Sequence, residues 1–138
     1  NTERGLNMLI KDSKGKYELK VDTERSIVYE KNMGLWNNED IYRFHNDYLV
    51  KIIPLLKGRE WFKCTDLREY ELSDITEEIT DHATWCVQNK LFGAIIIVQN
   101  EPVEMQMNVS VLYSGMIYSP IAFSDVEEAE KWLDSHWI

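Results

Sequence analysis

The first third of the chain alternates apolar and polar residues, which is the period of a β-strand with one solvent-facing side. Residues 17–21 show it most clearly, because Glu18 and Lys20 separate three apolar residues. Turn-forming residues occupy positions 12–15 and 22–25 on either side of this segment. We therefore expect an antiparallel meander. Its predicted strands cover residues 6–10, 16–21 and 26–33.

Three later segments carry apolar residues at the three- and four-residue spacing of an amphipathic helix. The first begins at Asn37 or Asn38, which can cap it, and ends near Pro54. Ser73 is the predicted cap of the second helix, and Ser124 is the predicted cap of the last one. The predicted inner faces contain Ile41, Phe44, Tyr48, Ile52 and Leu55, then Ile75, Ile79, Ala83, Cys86 and Val87, and finally Val126, Ala129, Trp132 and Leu133.

The longest apolar run covers residues 91–99 and is rich in β-branched side chains. A short run of this kind, bounded by polar residues, is typical of a strand buried on both faces, so residues 92–98 are predicted to form the central strand. Residues 61–66 are predicted to form a second interior strand, followed by a loop over 67–72. A last short strand is expected at 118–123.

Residues 103–111 fit two structures. Apolar residues at every second position indicate a strand, whereas a wider apolar set has the spacing of a helix face. Asn100 as a cap, Pro102 in the first turn and Gly115 as a stop favour the helix. In that helix one apolar side would face the sheet and a second row would lie at its edge. The side facing the sheet would contain Met105, Val109, Leu112 and Met116, and the edge row Met107 and Val111.

The chain has 138 residues, of which 44% are hydrophobic, and a formal net charge of −9. This length and composition predict one domain spanning residues 1–138, in which residues 1–15 either add an N-terminal strand or form a flexible segment. The negative charge repels phosphate backbones, so we expect no nucleic-acid partner. The apolar runs are too short to cross a bilayer, so we expect no membrane insertion.

Both cysteines, Cys64 and Cys86, lie in apolar segments. Buried free thiols are typical of the reducing cytoplasm, which is the expected location. His82 lies four residues before Cys86, a spacing that can hold a metal ion, and Cys64 could join them from a neighbouring strand. Since no fourth ligand is visible, we interpret these residues as core and expect no metal and no cofactor. No acid–base pair or nucleophile stands out, so we expect no catalytic residues and no enzyme activity.

The end of the chain combines a short apolar strand, a serine, acidic residues and the motif Ala-x-x-Trp-Leu. This pattern runs from Ile121 to Leu133, with Ser124 at the serine position. The residues Thr65-Asp66-Leu67 at the end of the predicted inner strand add a further match. Together with the order of the predicted elements, these motifs resemble the SpoIIAA-like proteins, a bacterial group related in fold to STAS domains. The resemblance covers roughly residues 16–135.

The resemblance implies an α/β (α+β) fold of SpoIIAA/STAS type: a mixed sheet of four to six strands, with an N-terminal antiparallel meander and about four helices packed on it. In the anti-anti-sigma proteins of this group, a partner kinase phosphorylates a serine at the start of the helix after the inner strand. Ser73 holds the nearest position here, although the glycine of the family motif is absent. The resemblance thus implies a regulatory site at Ser73 and Asp66, whereas the residues alone favour a plain cap role for Ser73.

We therefore expect a non-enzymatic regulatory or protein-interaction domain of the bacterial cytoplasm, which binds a protein partner or a second copy of itself. The alternative is a carrier or sensor of a small apolar, lipid-like ligand held between the sheet and the helices. Methionine beside rigid aromatic residues can line either kind of surface. The residues expected to form this apolar patch or ligand cleft are Met105, Met107, Val111, Tyr113 and Met116.

Overall fold

A single mixed sheet of six strands organises the fold of residues 7–137, which the computed structural model describes. The spatial order of the strands follows the chain order. The first three strands pair antiparallel, and the third to sixth pair parallel. The strands are β1 (Asn7–Lys11), β2 (Tyr17–Asp22), β3 (Ile27–Leu35), β4 (Trp61–Glu71), β5 (Leu91–Ile97) and β6 (Ile121–Phe123).

Four helical segments connect or follow the parallel strands in the part of the chain that the structure describes. The first segment is continuous but changes geometry in the middle, because Pro54 lacks the amide proton that a regular α-helix needs. The helices are α1 (Asn38–Asp47), a π-helical turn (Tyr48–Ile52), α2 (Ile53–Leu56), α3 (Thr76–Gln88), α4 (Glu101–Leu112) and α5 (Val126–His136). The predicted fold class and element order are confirmed, with six strands in the sheet. The predicted extra N-terminal strand is β1, while residues 1–6 lie outside the described residues.

Two predicted helix starts are confirmed by side-chain hydrogen bonds. The Asn37 side chain accepts from the Asp40 amide while the Asp40 carboxylate accepts from the Asn37 amide, which is a complete capping box. Asn100 caps α4 by accepting from the Val103 amide, and Pro102 lies in the first turn. Residues 103–111 are therefore helical. Of the two structures that the sequence allowed, this is the one that the cap and the proline favoured.

Two predicted caps are wrong. Ser73 is not the cap of α3: that helix begins at Thr76, and its cap position is held by Ile75 without a side-chain hydrogen bond. Asp125 caps α5 in place of Ser124, since its carboxylate accepts from the Glu128 amide at 2.8 Å.

Two predicted strand boundaries also differ from the structure. The predicted loop at 67–72 is wrong, because β4 continues to Glu71 in parallel pairing with β3. At the other end, β6 contains only Ile121–Phe123, paired with residues 95–97, so the predicted strand at 118–123 is too long. β5 is fully buried at Ile95–Ile97 as predicted, but it lies beside this short edge strand, and β3 and β4 form the middle of the sheet.

The sheet separates two cores of unequal size. The large core lies on the face covered by α1, α2, α3 and α4, and the small core lies on the face covered by α5. Side chains alternate between the two faces along each strand. In β5, for example, Ile96 belongs to the large core, and Ile95 and Ile97 belong to the small core.

Candidate functional site

Polar side chains lie inside the large core, directly under α1 and α3. The alternation along β3 places Glu30 and Asn32 on the same face as the core residue Val28. In the same way, β4 places Lys63 and Thr65 on the face of Trp61. All four polar residues are buried.

An ion pair between Glu30 and Lys63 forms the centre of this cluster. Lys63 Nζ lies 2.9 Å from Glu30 Oε2, and the hydroxyl of Thr65 donates to Glu30 Oε1 at 2.7 Å. The hydroxyl of Tyr48 donates to the same carboxylate, and the Tyr48 ring lies under the ammonium group, with 4.7 Å between Nζ and the ring centroid. Burial alone would lower the pKa of Lys63, but the charge of Glu30 and its hydrogen bond to Lys63 raise it above its ordinary value. Lys63 is therefore charged and paired.

Two histidines extend the cluster from Lys63 towards the surface. His82 Nε2 lies 2.8 Å from Lys63 Nζ, and since an ammonium group can only donate, this nitrogen accepts. The proton of His82 is then on Nδ1, which donates to Nδ1 of His45 at 2.8 Å. Burial, the charge of Lys63 and the neighbouring His45 hold the pKa of His82 well below its ordinary value, so this ring is neutral at pH 7.

The two cysteines lie on opposite sides of the sheet. Cys86 belongs to the large core, with its sulfur 3.4 Å from His82 Nε2, whereas Cys64 belongs to the small core. Both are free and buried, as predicted. Burial raises the pKa of each thiol to about 12, so both are protonated at pH 7. A joint metal site with His82 is ruled out by this separation, and no group of three such ligands occurs among residues 7–137.

A cavity of about 90 Å³ lies beside the ion pair, between the sheet and α1, α3 and α4. Its wall is mainly apolar and includes Met107 and Met116, with Glu30 and Lys63 on the sheet side. Two polar atoms in this wall, Asn32 Oδ1 and Ser110 Oγ, have no hydrogen-bond partner among the described residues. Asn32 is 8% exposed and Ser110 is 1% exposed. Buried polar atoms of this kind are rare in folded proteins.

Helix α4 turns the opposite side to the sheet from the one predicted. Its buried residues are Val103, Gln106 and Ser110, whereas Met105 is 62% exposed and Leu112 is 71% exposed. The reason is a set of hydrogen bonds that makes the burial of an amide favourable. Gln106 Nε2 donates to the Ser73 carbonyl at 2.7 Å and to Thr76 Oγ1 at 3.0 Å, and Oε1 accepts from the Tyr70 hydroxyl at 2.9 Å.

The five residues predicted for an apolar patch or cleft divide into two groups. Met107, Val111 and Met116 line the cavity. Met105 and Tyr113 do not, and the Tyr113 side chain is 72% exposed on the outer surface. The structure thus brings three of the five together at one site.

Neither of the two residues predicted as regulatory lines the cavity. Ser73 is 4% exposed, and its hydroxyl accepts from the Trp36 amide at 2.8 Å and donates to the Glu71 carbonyl at 2.7 Å. Asp66 lies within β4, where the Arg68 guanidinium binds its carboxylate at 2.8 Å and helps to lower its pKa against the opposing effect of burial. A regulatory role for either residue stays a prediction.

The buried ion pair was missed in the sequence. The sequence predicts an interior strand at residues 61–66, and Lys63 lies in the middle of that segment. A lysine inside a buried strand needs a buried counter-charge. Glu30 supplies it from the same face of β3, where it lies opposite Thr65, two residues from Lys63. A charged residue within a predicted buried strand is therefore the feature of the sequence that could have indicated a buried ion pair.

No match to this chain is found among protein-family models, curated proteins or solved structures. The SpoIIAA-like resemblance therefore stays a prediction. Among residues 7–137, the helices are all too short or too polar to span a bilayer.

Proposed function

We propose that the protein binds a small, mainly apolar molecule in the cavity between the sheet and α3 and α4, as a carrier or sensor. The observation that carries this proposal is the pair of buried polar atoms, Asn32 Oδ1 and Ser110 Oγ, in an otherwise mainly apolar wall. Sites for small molecules usually combine an apolar wall with a few polar groups that orient the ligand.

The cost of these two atoms supports a binding role. A buried polar group without a partner costs about 1–3 kcal/mol. Replacing Ser110 by alanine or Asn32 by an apolar residue would remove that cost, and a bound ligand that forms a hydrogen bond with either atom would offset it. Met107 and Met116 add side chains that can adjust to the shape of a bound molecule.

We propose binding without catalysis, because the ionisable groups beside the cavity are bound to one another. Lys63 binds Glu30 and His82, and Glu30 also accepts from Thr65 and Tyr48. A general base or nucleophile needs a group that can reach the substrate. The expectation of a non-enzymatic protein is therefore kept as part of the proposal.

Nuclear magnetic resonance of methyl-labelled methionine tests the binding site with toluene as the probe. Added toluene should shift the methyl signals of Met107 and Met116 and leave that of Met105 unchanged. Met107→Trp should fill the cavity and abolish the shift of Met116. Met105→Trp is the matched control on the exposed side of the same helix. A toluene-induced shift of Met105 with an unchanged Met107 would contradict the proposed site.

A second candidate function is the regulatory or protein-interaction role that the SpoIIAA-like resemblance implies, with a second copy of the chain as the partner. It is favoured by an exposed apolar surface that we call the 112–118 patch. Its members are Leu112, Tyr113, Ile117 and Tyr118, which are 71%, 72%, 87% and 60% exposed. Four large apolar side chains exposed within seven residues of the chain are typical of a protein contact.

Sedimentation velocity tests the second candidate. The double change Leu112→Lys with Ile117→Lys should abolish self-association and leave toluene binding unchanged. Leu35→Lys is a matched control, since Leu35 is 58% exposed and lies outside the patch. A monomeric parent protein would reject self-association through this surface.

A further inference from the structure

The charges around the cavity are already balanced within the protein. The only residues of its described wall that can carry a charge at pH 7 are Glu30, Lys63 and His82. His82 is neutral because its pKa is held low by burial and by the charge of Lys63. The remaining two residues form the ion pair, with 2.9 Å between Lys63 Nζ and Glu30 Oε2. An ionised ligand would therefore add a net charge to a buried site, which is strongly unfavourable.

The ammonium group of Lys63 is already bound by partners within the protein, so it is not free to bind an anionic ligand. Its ammonium group contacts Glu30 Oε2 and His82 Nε2, and the rings of Tyr48 and Phe44 lie at 4.7 Å and 5.7 Å from Nζ. A carboxylate ligand would have to displace one of these partners. Glu30 would then be left buried without its counter-charge.

The unpaired atoms of Asn32 and Ser110 instead favour a ligand that carries a hydrogen-bond donor. Asn32 Oδ1 needs a donor, and Ser110 Oγ can use a donor or an acceptor. A hydroxyl meets both needs, and it also fits if the amide of Asn32 is turned by 180°. Hydrocarbons and ionised carboxylates cannot donate. We infer that the ligand is an uncharged molecule with an apolar body and a hydroxyl group, such as a small alcohol or phenol; this inference rests on the proposed function.

The volume limits the apolar body to about one ring. The cavity of about 90 Å³ is smaller than the engineered cavity of about 150 Å³ that binds benzene in another protein. Movement of the Met107 and Met116 side chains can supply the difference. Phenol and toluene are suitable probes because they share one ring and differ only in a hydroxyl against a methyl group. Benzoate adds a negative charge to the same ring.

Titrations of the full chain at pH 7 with these three probes, followed by the methionine methyl signals, test the inference. Phenol should bind at least about tenfold more tightly than toluene, because a site built for a hydroxyl discriminates against a ligand without one. Benzoate should bind most weakly. Ser110→Ala or Asn32→Leu should reduce the preference for phenol, whereas Asn108→Ala, an exposed change on the same helix, should leave it unchanged.

The outcomes separate this inference from the proposed function. Equal affinity for toluene and phenol, or tighter binding of benzoate, overturns the inference and leaves the apolar binding site in place. A full preference for phenol that survives in both Ser110→Ala and Asn32→Leu also overturns it. If none of the three probes binds, the inference and the proposed function both fail. Circular dichroism of each variant confirms that it is folded before titration.

Discussion

The two faces of the sheet bury different kinds of side chain. On the small core, Phe62 stacks on Trp132 of α5 with 5.7 Å between ring centroids, and Ile95 and Leu133 complete an apolar contact. On the large core, β3 and β4 bury the Glu30–Lys63 ion pair. The large core also contains the cavity and its two unpaired polar atoms.

This difference shows how one strand can serve two purposes. Lys63 and Cys64 are neighbours in the sequence, yet one binds a buried carboxylate and the other packs in an apolar layer on the opposite face. Well-packed apolar layers stabilise a fold, whereas buried charges and voids reduce stability unless they are compensated. Departures of this kind concentrate at functional sites. We therefore interpret the small core as the side that stabilises the fold, and the large core as the side of the proposed binding site.

The largest expected effect comes from breaking the ion pair. Lys63→Ala should lower the free energy of unfolding by about 3–5 kcal/mol, because it leaves Glu30 buried without a counter-charge. Lys31→Ala is the control: Lys31 faces Glu69 at 3.3 Å with both side chains exposed, and such pairs contribute about 0–1 kcal/mol. Urea unfolding measures both. A loss below about 1 kcal/mol for Lys63→Ala would mean that Glu30 is hydrated or neutral.

Truncation in β5 compares the packing of the two faces. Ile95→Ala and Ile96→Ala should each cost about 2–5 kcal/mol, because both side chains are buried. Ile95→Ala should be the more costly, since Ile95 is fully buried in the apolar cluster of the small core and does not line the cavity. Ile96 lines the existing cavity and has fewer contacts to lose. Denaturant unfolding that ranks Ile96→Ala as more costly would contradict the assignment of the looser packing to the large core.

Added volume should have opposite effects on the two faces. A methyl group at Gly93 would lie 2.5 Å from Phe62 Cε1, and Phe62 is held between Trp132 and Trp137. Gly93→Ala should therefore cost about 1–3 kcal/mol.

Ala94→Val is the matched change on the next residue, because Ala94 lines the cavity. It should be neutral or stabilise the protein by up to about 1 kcal/mol, as cavity-filling changes often do. Thermal melts of both variants provide the measurement. Equal destabilisation by Gly93→Ala and Ala94→Val would contradict the proposal that the two faces of the sheet differ in packing.

The sequence was sufficient to predict the element order, because strand and helix periods are local and repeat over many residues. The antiparallel meander and the burial of Ile95–Ile97 follow from such patterns. The helix at 101–112 followed from its cap and proline. Local patterns of this kind could not predict which side of α4 faces the sheet. The orientation of α4 depends on Gln106, whose three partners come from β4 and from the segment around α3.

The candidate site was predictable only in part for the same reason. Met107, Val111 and Met116 were expected at a cleft, but Asn32 and Ser110 were not, since their significance depends on what lies opposite them. Glu30 and Lys63 are 33 residues apart in the sequence and meet only when β3 and β4 pair. The sequence pattern likewise predicts Ser73 as a cap, but its hydroxyl accepts a hydrogen bond from the amide of Trp36, the residue that follows β3.

The smallest expected effect is a pH dependence that only the large core should produce. The pKa of His82 is well below its ordinary value of 6.5 in the folded protein, because of burial, the charge of Lys63 and the neighbouring His45. In the unfolded chain His82 takes up a proton as the pH falls below about 6.5, whereas in the folded chain it stays neutral. Stability is therefore full above this pH and is lost below it. One such group should cost about 1 kcal/mol between pH 6.5 and 5.5.

Replacing the buried histidine sharpens this comparison. His82→Gln keeps an acceptor for Lys63 and cannot take up a proton, so it should reduce the stability loss between pH 6.5 and 5.5 by about 1 kcal/mol. His136→Gln, an exposed change at the end of α5, should leave the loss unchanged. His45, whose pKa is also lowered by burial and by Lys63, accounts for the part that remains. Urea unfolding of the parent protein and of the two variants at pH 6.5 and 5.5 measures these differences in stability. An unchanged pH dependence in His82→Gln would show that His82 is not the group responsible for the acid sensitivity.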